Sequence, residues 1–370
     1  MRKKRLTAVF MFCLLLSGCG KSVEQTGAEG SVQWANYTFT EEGILHQNNS
    51  YKGKLGYFDY QTKSYRPLCG RVNCQHDSQE CPSVYLGGTN AMGRIGNKWY
   101  YLMASEKNDG IPEFRCCDLD GQNEMVIGEF PHYCSYMELF FENSCVMATR
   151  DPVFDEKTGE ITDQEVSGIY RYDFDTGKEE LLCPEIKGEG ENYVLYGRYE
   201  NLLAYEERIG KKRLLRVMDL ETKTITEPFG NSDVFSGRVN DRYLVCHVFE
   251  NDVYKVIEMD LDSGEEKLVL DGLDHAASIC WSPELKLLTI IDDTAGELYY
   301  QTYRYLDNGT CEVVREGGSN TYFRPITIKE NLIVGQYEMN GEQEKKGFEL
   351  AVMNKDDFLA GKNNWTILEY

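Results

Sequence analysis

Apolar and polar residues alternate along most of the chain after residue 33, in short runs that end in turns rich in Asp, Asn and Gly. Such runs include residues 170–177, 217–222 and 257–264. A period of two predicts β-strands with one buried face, and Asp, Asn and Gly tolerate the backbone conformations of tight hairpin turns. The pattern therefore predicts a succession of β-hairpins.

The hairpins recur at a regular distance. Aligned on the residue that begins each turn, the anchors are Asp59, Asp118, Asp173, Asp219, Asp260, Tyr305 and, in degenerate form, Asn354. Their separations are 59, 55, 46, 41, 45 and 49 residues, and a period of about 40–50 residues with several strands per unit is typical of a propeller blade. We therefore predict an all-β fold, a β-propeller of seven four-stranded blades, with six or eight blades as the alternatives.

Two details refine this prediction. Ten residues after four of the anchors stand apolar or thiol side chains, which we expect on the buried face of an outer strand: Cys69, Cys183, Phe229 and Leu270. The polar stretch from Asp151 to Val166 interrupts the third unit, and we predict a loop there.

The N-terminal residues carry a targeting pattern. Four basic residues at positions 2–5 precede an apolar run from Val9 to Leu16, which ends in Leu16-Ser17-Gly18-Cys19. The run is too short for a membrane-spanning helix and fits a secretory signal. It resembles a bacterial lipoprotein signal, which implies cleavage before Cys19 and attachment of a diacylglyceryl group to its sulfur. A secretory signal without lipid is the alternative.

This interpretation divides the chain into three parts. Residues 1–18 are the signal peptide, residues 19–32 a lipidated flexible tether and residues 33–370 the propeller. Removal of the signal takes away four positive charges and no negative ones, and so changes the formal net charge from −22 to about −26. A chain this acidic is repelled by nucleic acid and by anionic lipid headgroups, so we expect the lipid to hold it on the extracytoplasmic face of the cell membrane.

Two resemblances support the fold. The run Trp281-Ser282-Pro283-Glu284-Leu285-Lys286 resembles the Trp-Ser-Pro-Asp-Gly-Lys turn of the propeller repeats in TolB and in prolyl peptidases, with Glu284 and Leu285 in place of Asp and Gly. Over most of its length the chain is similar to the propeller lipoproteins of unknown function of gut Clostridia, which share the lipoprotein signal, the Asp turns and an early segment with Cys and His. These resemblances imply a fold and no activity.

The densest group of reactive side chains is Cys69, Cys74, His76 and Cys81. Three thiols and one imidazole within thirteen residues form a four-ligand set that suits zinc, or iron, better than calcium or magnesium. A disulfide among the three cysteines is an alternative that export favours. Inert thiols in a strand are the third alternative. We expect a metal or covalent clasp on the connection between the first two blades, and a structural zinc as the cofactor of the metal alternative.

The remaining candidate motifs and residues are interpreted as structural features and not as functional sites. The Asp-x-Asp-x-Gly runs at Asp173 and Asp260 lack the spacing of a calcium loop, so we interpret them as turns. Acidic pairs, among them Glu206–Glu207, are expected on solvated strand edges, and His275 is expected to be structural. The sequence has none of the common hydrolase or phosphate-binding motifs.

We therefore predict no catalytic residues and a binding or scaffolding role, with an envelope protein or a glycan as partner. The alternative is an envelope enzyme that acts on glycan or peptide through carboxylates at the mouth of the propeller.

Overall fold

Seven four-stranded antiparallel sheets form the fold, a seven-bladed β-propeller, as the sequence predicted. The computed structural model describes residues 31–34, 37–48, 54–78, 80–85, 91–104, 111–155, 157–230, 232–273, 278–282, 286–292, 299–306, 310–317, 322–329, 331–338 and 348–368. The predicted signal, Cys19 and His275 lie outside the described residues, as do the central residues of the Trp-Ser-Pro turn, 283–285.

Each blade consists of four strands that follow one another in the chain, and blades are numbered here in chain order. Blade 1 contains β2 (Tyr37–Phe39), β3 (Gly43–Asn48), β4 (Lys54–Asp59) and β5 (Ser64–Pro67); blade 2 contains β6 (Ala91–Ile95), β7 (Lys98–Ala104), β8 (Pro112–Asp118) and β9 (Met125–Glu129); blade 3 contains β10 (Cys134–Phe141), β11 (Ser144–Thr149), β13 (Ile161–Asp173) and β14 (Lys178–Gly188). Blade 4 contains β15 (Asn192–Tyr199), β16 (Leu202–Ile209), β17 (Lys212–Asp219) and β18 (Ile225–Thr226); blade 5 contains β19 (Asp233–Asn240), β20 (Tyr243–Glu250), β21 (Val253–Asp260) and β22 (Glu266–Leu273). Blade 6 contains β23 (Ser278–Ser282), β24 (Leu287–Asp292), β25 (Tyr299–Tyr305) and β26 (Cys311–Gly317); blade 7 contains β27 (Tyr322–Lys329), β28 (Leu332–Glu338), β29 (Phe348–Asn354) and β30 (Thr366–Ile367).

Four shorter elements complete the described chain: β1 (Ser31–Trp34), β12 (Asp151–Phe154), α1 (Pro82–Tyr85) and α2 (Lys355–Leu359). Neither helix is long and apolar enough to cross a membrane, within the part of the chain that the structure describes.

The predicted anchors all end the third strand of a blade, from Asp59 at the end of β4 to Asn354 at the end of β29. The Asp side chains hold the turns that follow. Asp173 Oδ1 accepts hydrogen bonds from the amide and the hydroxyl of Thr176, and Asp260 Oδ1 accepts from the amides of Asp262 and Ser263. These contacts confirm the prediction of turns at Asp173 and Asp260.

The hydrophobic core lies between neighbouring blades, because each sheet buries side chains on both faces. Between blades 2 and 3, for example, Phe114 of β8 packs with Phe140 of β10 and Tyr172 of β13 in one buried cluster. The ring closes in the same way, since Ile44 and Phe58 of blade 1 cluster with Leu350 of blade 7. Among the described residues, blade 7 shares no strand with blade 1.

The first strand joins two blades. β1 pairs antiparallel with the innermost strand of blade 1, where Val32 is opposite Phe39, and antiparallel with the innermost strand of blade 3, where Ser31 is opposite Phe140. Blades 1 and 3 thereby form one hydrogen-bonded network of ten strands that includes β12. Ser31 lies at the end where the first and second strands of these blades are connected.

Two sequence-based expectations were wrong in part. The stretch 151–166 is not a loop throughout, because β12 pairs with the start of β13, with Phe154 opposite Ile161. The expected outer-strand positions hold for Cys183 and Leu270 only. Cys69 follows the end of β5 and Phe229 lies in a turn after β18, because these two outer strands are short.

Candidate metal centre and adjoining pocket

The connection from blade 1 to blade 2 is held by hydrogen bonds to both blades. The Leu68 amide and the Ser83 hydroxyl both donate to the Leu55 carbonyl oxygen of blade 1, at 3.0 and 2.7 Å. The Gly70 amide donates to the Asp120 carbonyl oxygen of blade 2 at 3.1 Å. The segment therefore bridges the two blades.

Two glycines allow this close approach. A Cβ at Gly70 would lie 2.6 Å from Cβ of Asp120, and a Cβ at Gly121 would lie 2.4 Å from Cβ of Pro82. Gly121 also has a φ of +76°, which disfavours any other residue. Larger side chains at these positions would push the segment away from blade 2.

The four predicted ligands converge in this segment. The ligand atoms of Cys69, Cys74, His76 and Cys81 all lie within 4.8 Å of one another. Nδ1 of His76 is 3.5 Å from Sγ of Cys81, and a tetrahedral zinc site with ordinary bond lengths would require about 3.6 Å between these atoms. The donor set thus has nearly the size that one metal ion needs.

The local backbone aims the imidazole at the thiols. His76 has a φ of +53° and Asn73 a φ of +59°, a left-handed conformation that is uncommon for non-glycine residues and in which Asn and His are enriched. In this turn the His76 amide donates to Sγ of Cys74 at 3.4 Å. The turn therefore places two of the four donors side by side.

The thiols differ in their environments. Burial, together with contacts to Cys81 and Cys74, raises the pKa of Cys69 to about 11. The hydrogen bond from the His76 amide lowers the pKa of Cys74 and so favours its thiolate. All cysteines whose side chains are described are free thiols, so no disulfide joins Cys69, Cys74 and Cys81 in the structure.

A pocket of about 360 Å³ lies beside this cluster, between blades 1 and 2. Cys69 and Gly70 form part of its wall, and the side chains of Tyr57, Leu68 and Trp99 supply apolar surface. The Trp99 indole donates to the Leu119 carbonyl oxygen at 3.3 Å, which fixes the ring. A volume of this size suits a small ligand.

Charged groups also line the pocket. Arg94 binds both carboxylate oxygens of Glu42, at 2.8 and 3.2 Å. Asp59 accepts hydrogen bonds from the amide and hydroxyl of Thr62, and the first of these is the main reason why its pKa is lowered. Arg66 makes no salt bridge with any described carboxylate and is exposed. The pocket therefore offers the exposed guanidinium of Arg66 and several fixed acceptors.

Sequence reasoning found the Cys/His cluster and missed the pocket. The pocket residues come from four strands of two blades and from the turns and connections beside them, so no spacing along the chain connects them. It also misplaced Glu206, which is fully buried and paired with Arg208 and Arg213 instead of lying on a solvated edge. Arg208 and Arg213, two and seven residues after Glu206, were the sequence signal that could have indicated a buried ion pair.

Comparisons with known proteins show the fold and nothing finer. No family model matches the chain, and no curated protein matches it. An oligogalacturonate lyase in complex with manganese is similar in structure, with 13% sequence identity, a TM-score of 0.53, and coverage of 90% of this chain and 92% of the other.

The oligogalacturonate lyase of Vibrio parahaemolyticus has 8% identity and a TM-score of 0.50 over 83% of this chain and 87% of the other. TolB from Acinetobacter baumannii has 13% identity over 89% of this chain and 78% of the other, but its TM-score of 0.39 supports no inference. The similarity to the two lyases shows a shared propeller fold and no activity of this chain.

Proposed function

We propose that this protein is a lipid-anchored, extracytoplasmic binding propeller that takes a small neutral saccharide in the pocket between blades 1 and 2. The observation that carries the proposal is the pocket itself, in which charged acceptors, a guanidinium and apolar side chains line a volume of about 360 Å³.

The composition of the pocket favours a ligand rich in hydroxyl groups. Glu42, Asp59 and Asp120 supply acceptors, and Arg66 and Arg94 supply donors, so the lining is close to charge balance. Sugar hydroxyls both donate and accept, and the carbon face of a sugar packs on apolar side chains such as Leu68 and Tyr57. An anionic ligand would meet three carboxylates and only two guanidinium groups.

Binding is supported over catalysis by the state of the carboxylates. Glu42 is held by Arg94 in a bidentate pair, and Asp59 is held by Thr62 with its pKa lowered. A general acid needs a raised pKa and a free proton. Two of the three carboxylates here are instead acceptors fixed by hydrogen bonds within the protein.

The anchor rests on the sequence of residues 1–19. Cys19→Ser in the full-length precursor should release the protein from the membrane fraction of the producing cells, since no lipid can then be attached. Mass spectrometry of the wild-type N-terminus should find an acylated Cys19. Membrane retention of the variant, or a wild-type chain that begins elsewhere, would refute the anchor.

The ligand is tested by calorimetric titration of the mature protein with glucose, galactose and N-acetylglucosamine. We expect at least one of these sugars to bind, and Arg66→Ala to weaken that binding about tenfold, the equivalent of one lost charge-assisted hydrogen bond. Arg304→Ala, which removes an exposed arginine of blade 6, is the matched control and should bind as the wild type does. Absence of binding for all three sugars, or equal losses in both variants, would refute the proposed ligand.

A further inference from the structure

We propose that Cys69, Cys74, His76 and Cys81 bind one structural Zn²⁺, and that this ion holds the wall of the neighbouring pocket in place. The second half of this statement rests on the proposed saccharide site. The metal site itself stands on the geometry of its four donors.

The fold brings the four donors together. All four ligand atoms lie within 4.8 Å of one another, and Cys81, with 1% of its surface exposed, forms the buried end of the site. Tetrahedral coordination would require about 3.8 Å between two sulfurs. Shifts of about one ångström in half-exposed side chains are therefore enough to complete the shell, whereas an unrelated group of thiols would not converge on one point.

The surroundings suit the charge of such a centre. Three thiolates and a neutral imidazole around Zn²⁺ carry one net negative charge. The His76 amide donates to Sγ of Cys74 at 3.4 Å, and Arg71, whose carbonyl oxygen accepts from the Cys74 amide, brings a positive charge into the same turn. These groups would stabilise the excess charge, as partners around metal ligands commonly do.

The ligand types select the ion and its role. Sulfur and nitrogen donors in a tetrahedron favour zinc and disfavour calcium or magnesium, which require oxygen. Four protein ligands leave no position for water or substrate, so the site is structural and not catalytic. The ion can therefore act only through the parts of the chain that it links.

The segment needs such a link because it buries little apolar surface. Leu68 and Cys81 are buried, but Val72 has 89% of its surface exposed. Hydrogen bonds to Leu55 and Asp120 fix the ends of the segment, and the residues between them carry three of the four ligands. A metal ion would order this stretch, and with it the part of the pocket wall that Cys69 and Gly70 form.

The metal is tested on the mature full-length protein, purified in detergent with and without oxygen, by elemental analysis and by mass spectrometry without reduction. We expect about one equivalent of zinc. His76→Ala and Cys74→Ser should each lose most of the zinc and lower the melting temperature. Cys311→Ser, a half-buried cysteine outside the cluster, should keep both unchanged.

Each of the following results would overturn the proposed zinc site as stated. Iron in place of zinc refutes the identity of the ion, and a disulfide among Cys69, Cys74 and Cys81 refutes metal binding. Free thiols without bound metal refute both the metal site and the disulfide alternative. Full zinc content in His76→Ala removes that residue from the ligand set.

The link to the pocket is tested separately. Removal of zinc with a chelator should weaken binding of the sugar at least tenfold, and added zinc should restore it. If zinc is bound but its removal leaves sugar affinity unchanged, the metal site stands and its role in the pocket wall is refuted. If no sugar binds, the zinc content and the melting temperature still decide the metal site.

Discussion

Glu138 lies directly opposite Met147 on the two innermost strands of blade 3, so a carboxyl group shares a sheet face with a thioether. Only 1% of Glu138 is exposed, and neither of its oxygens has a hydrogen-bond partner among the residues that the structure describes. Burial raises its pKa well above the ordinary value of 4.5. The folded state therefore favours the protonated form of this carboxyl group.

Replacement of this carboxyl should stabilise the protein. The unfolded chain loses the proton above pH 4.5 and the folded chain keeps it, so the free energy of unfolding falls as pH rises from there. Glu138→Met removes this cost and should gain about 1–3 kcal/mol at pH 7, the usual cost of a buried polar group without a hydrogen-bond partner, with a smaller gain near pH 4.5. Urea unfolding of both proteins at the two pH values measures the difference in their free energies of unfolding. A variant no more stable than wild type at pH 7 would contradict the interpretation.

His46 should make the protein sensitive to acid. Its ring is buried and stacks on Tyr37 at a centroid distance of 4.8 Å, and burial lowers its pKa to about 4. Between pH 6.5 and 4 the unfolded chain binds a proton that the folded chain does not, so stability falls by about 3 kcal/mol as pH drops through this window. His46→Phe keeps the stacked ring and should remove that part of the pH dependence.

The control for this experiment is His132, for which the sign is opposite. Burial lowers its pKa, but the hydrogen bond and charge of Asp151 outweigh burial and raise it overall. His132 therefore stabilises the fold at low pH, and this contribution is lost as pH rises through its folded pKa. His132→Phe should remove a loss of stability that occurs as pH rises above 6.5, and should leave the slope between pH 4 and 6.5 unchanged. Equal slopes in wild type and His46→Phe between pH 4 and 6.5 would contradict the role of His46.

The buried carboxylate of blade 4 should be essential for stability. Glu206 is fully buried and accepts hydrogen bonds from Arg208 and Arg213 and, at 2.6 Å, from the hydroxyl of Tyr196. Glu206→Gln leaves two guanidinium groups without their counter-charge and should cost about 3 kcal/mol in the free energy of unfolding. Glu142→Gln, in an exposed pair with Arg171, should cost less than about 1 kcal/mol. Similar losses in both variants would refute the distinction.

Gly93 should tolerate no side chain. A Cβ there would lie 2.0 Å from the ring of Phe140, which is 1% exposed and cannot move away. We expect Gly93→Ala to destabilise the protein by about 1–3 kcal/mol. A second change, Phe140→Leu, should be less harmful in the Gly93→Ala background than in the wild type. Strictly additive losses in a double-mutant cycle would show that the two residues do not interact.

The sequence was sufficient for features that depend on local chemistry. Asp59, Asp173 and Asp260 begin tight turns through contacts with residues two to three positions later, so each turn has a local signature. Repetition of that signature led directly to seven blades. The Cys/His cluster was visible for the same reason, because its four donors lie within thirteen residues.

Features that depend on neighbouring blades could not be found in this way. The pocket combines Arg66 of blade 1 with Arg94 and Trp99 of blade 2, which are set by the angle between two sheets. The lack of a partner for Glu138 depends on what packs against its strand. Cys69 follows the repeat spacing but lies outside β5, because that strand ends at Pro67.

The pairing of β1 determines how the protein would respond to mechanical force. A pull on Ser31 along the axis of β1 acts on a strand whose two edges are bonded to β2 and β10. Such a pull loads these hydrogen bonds together in shear instead of opening them one after another. Blades 1 and 3 share this load. The junction of blades 7 and 1 depends on side-chain packing and is not the first part of the ring to bear the load.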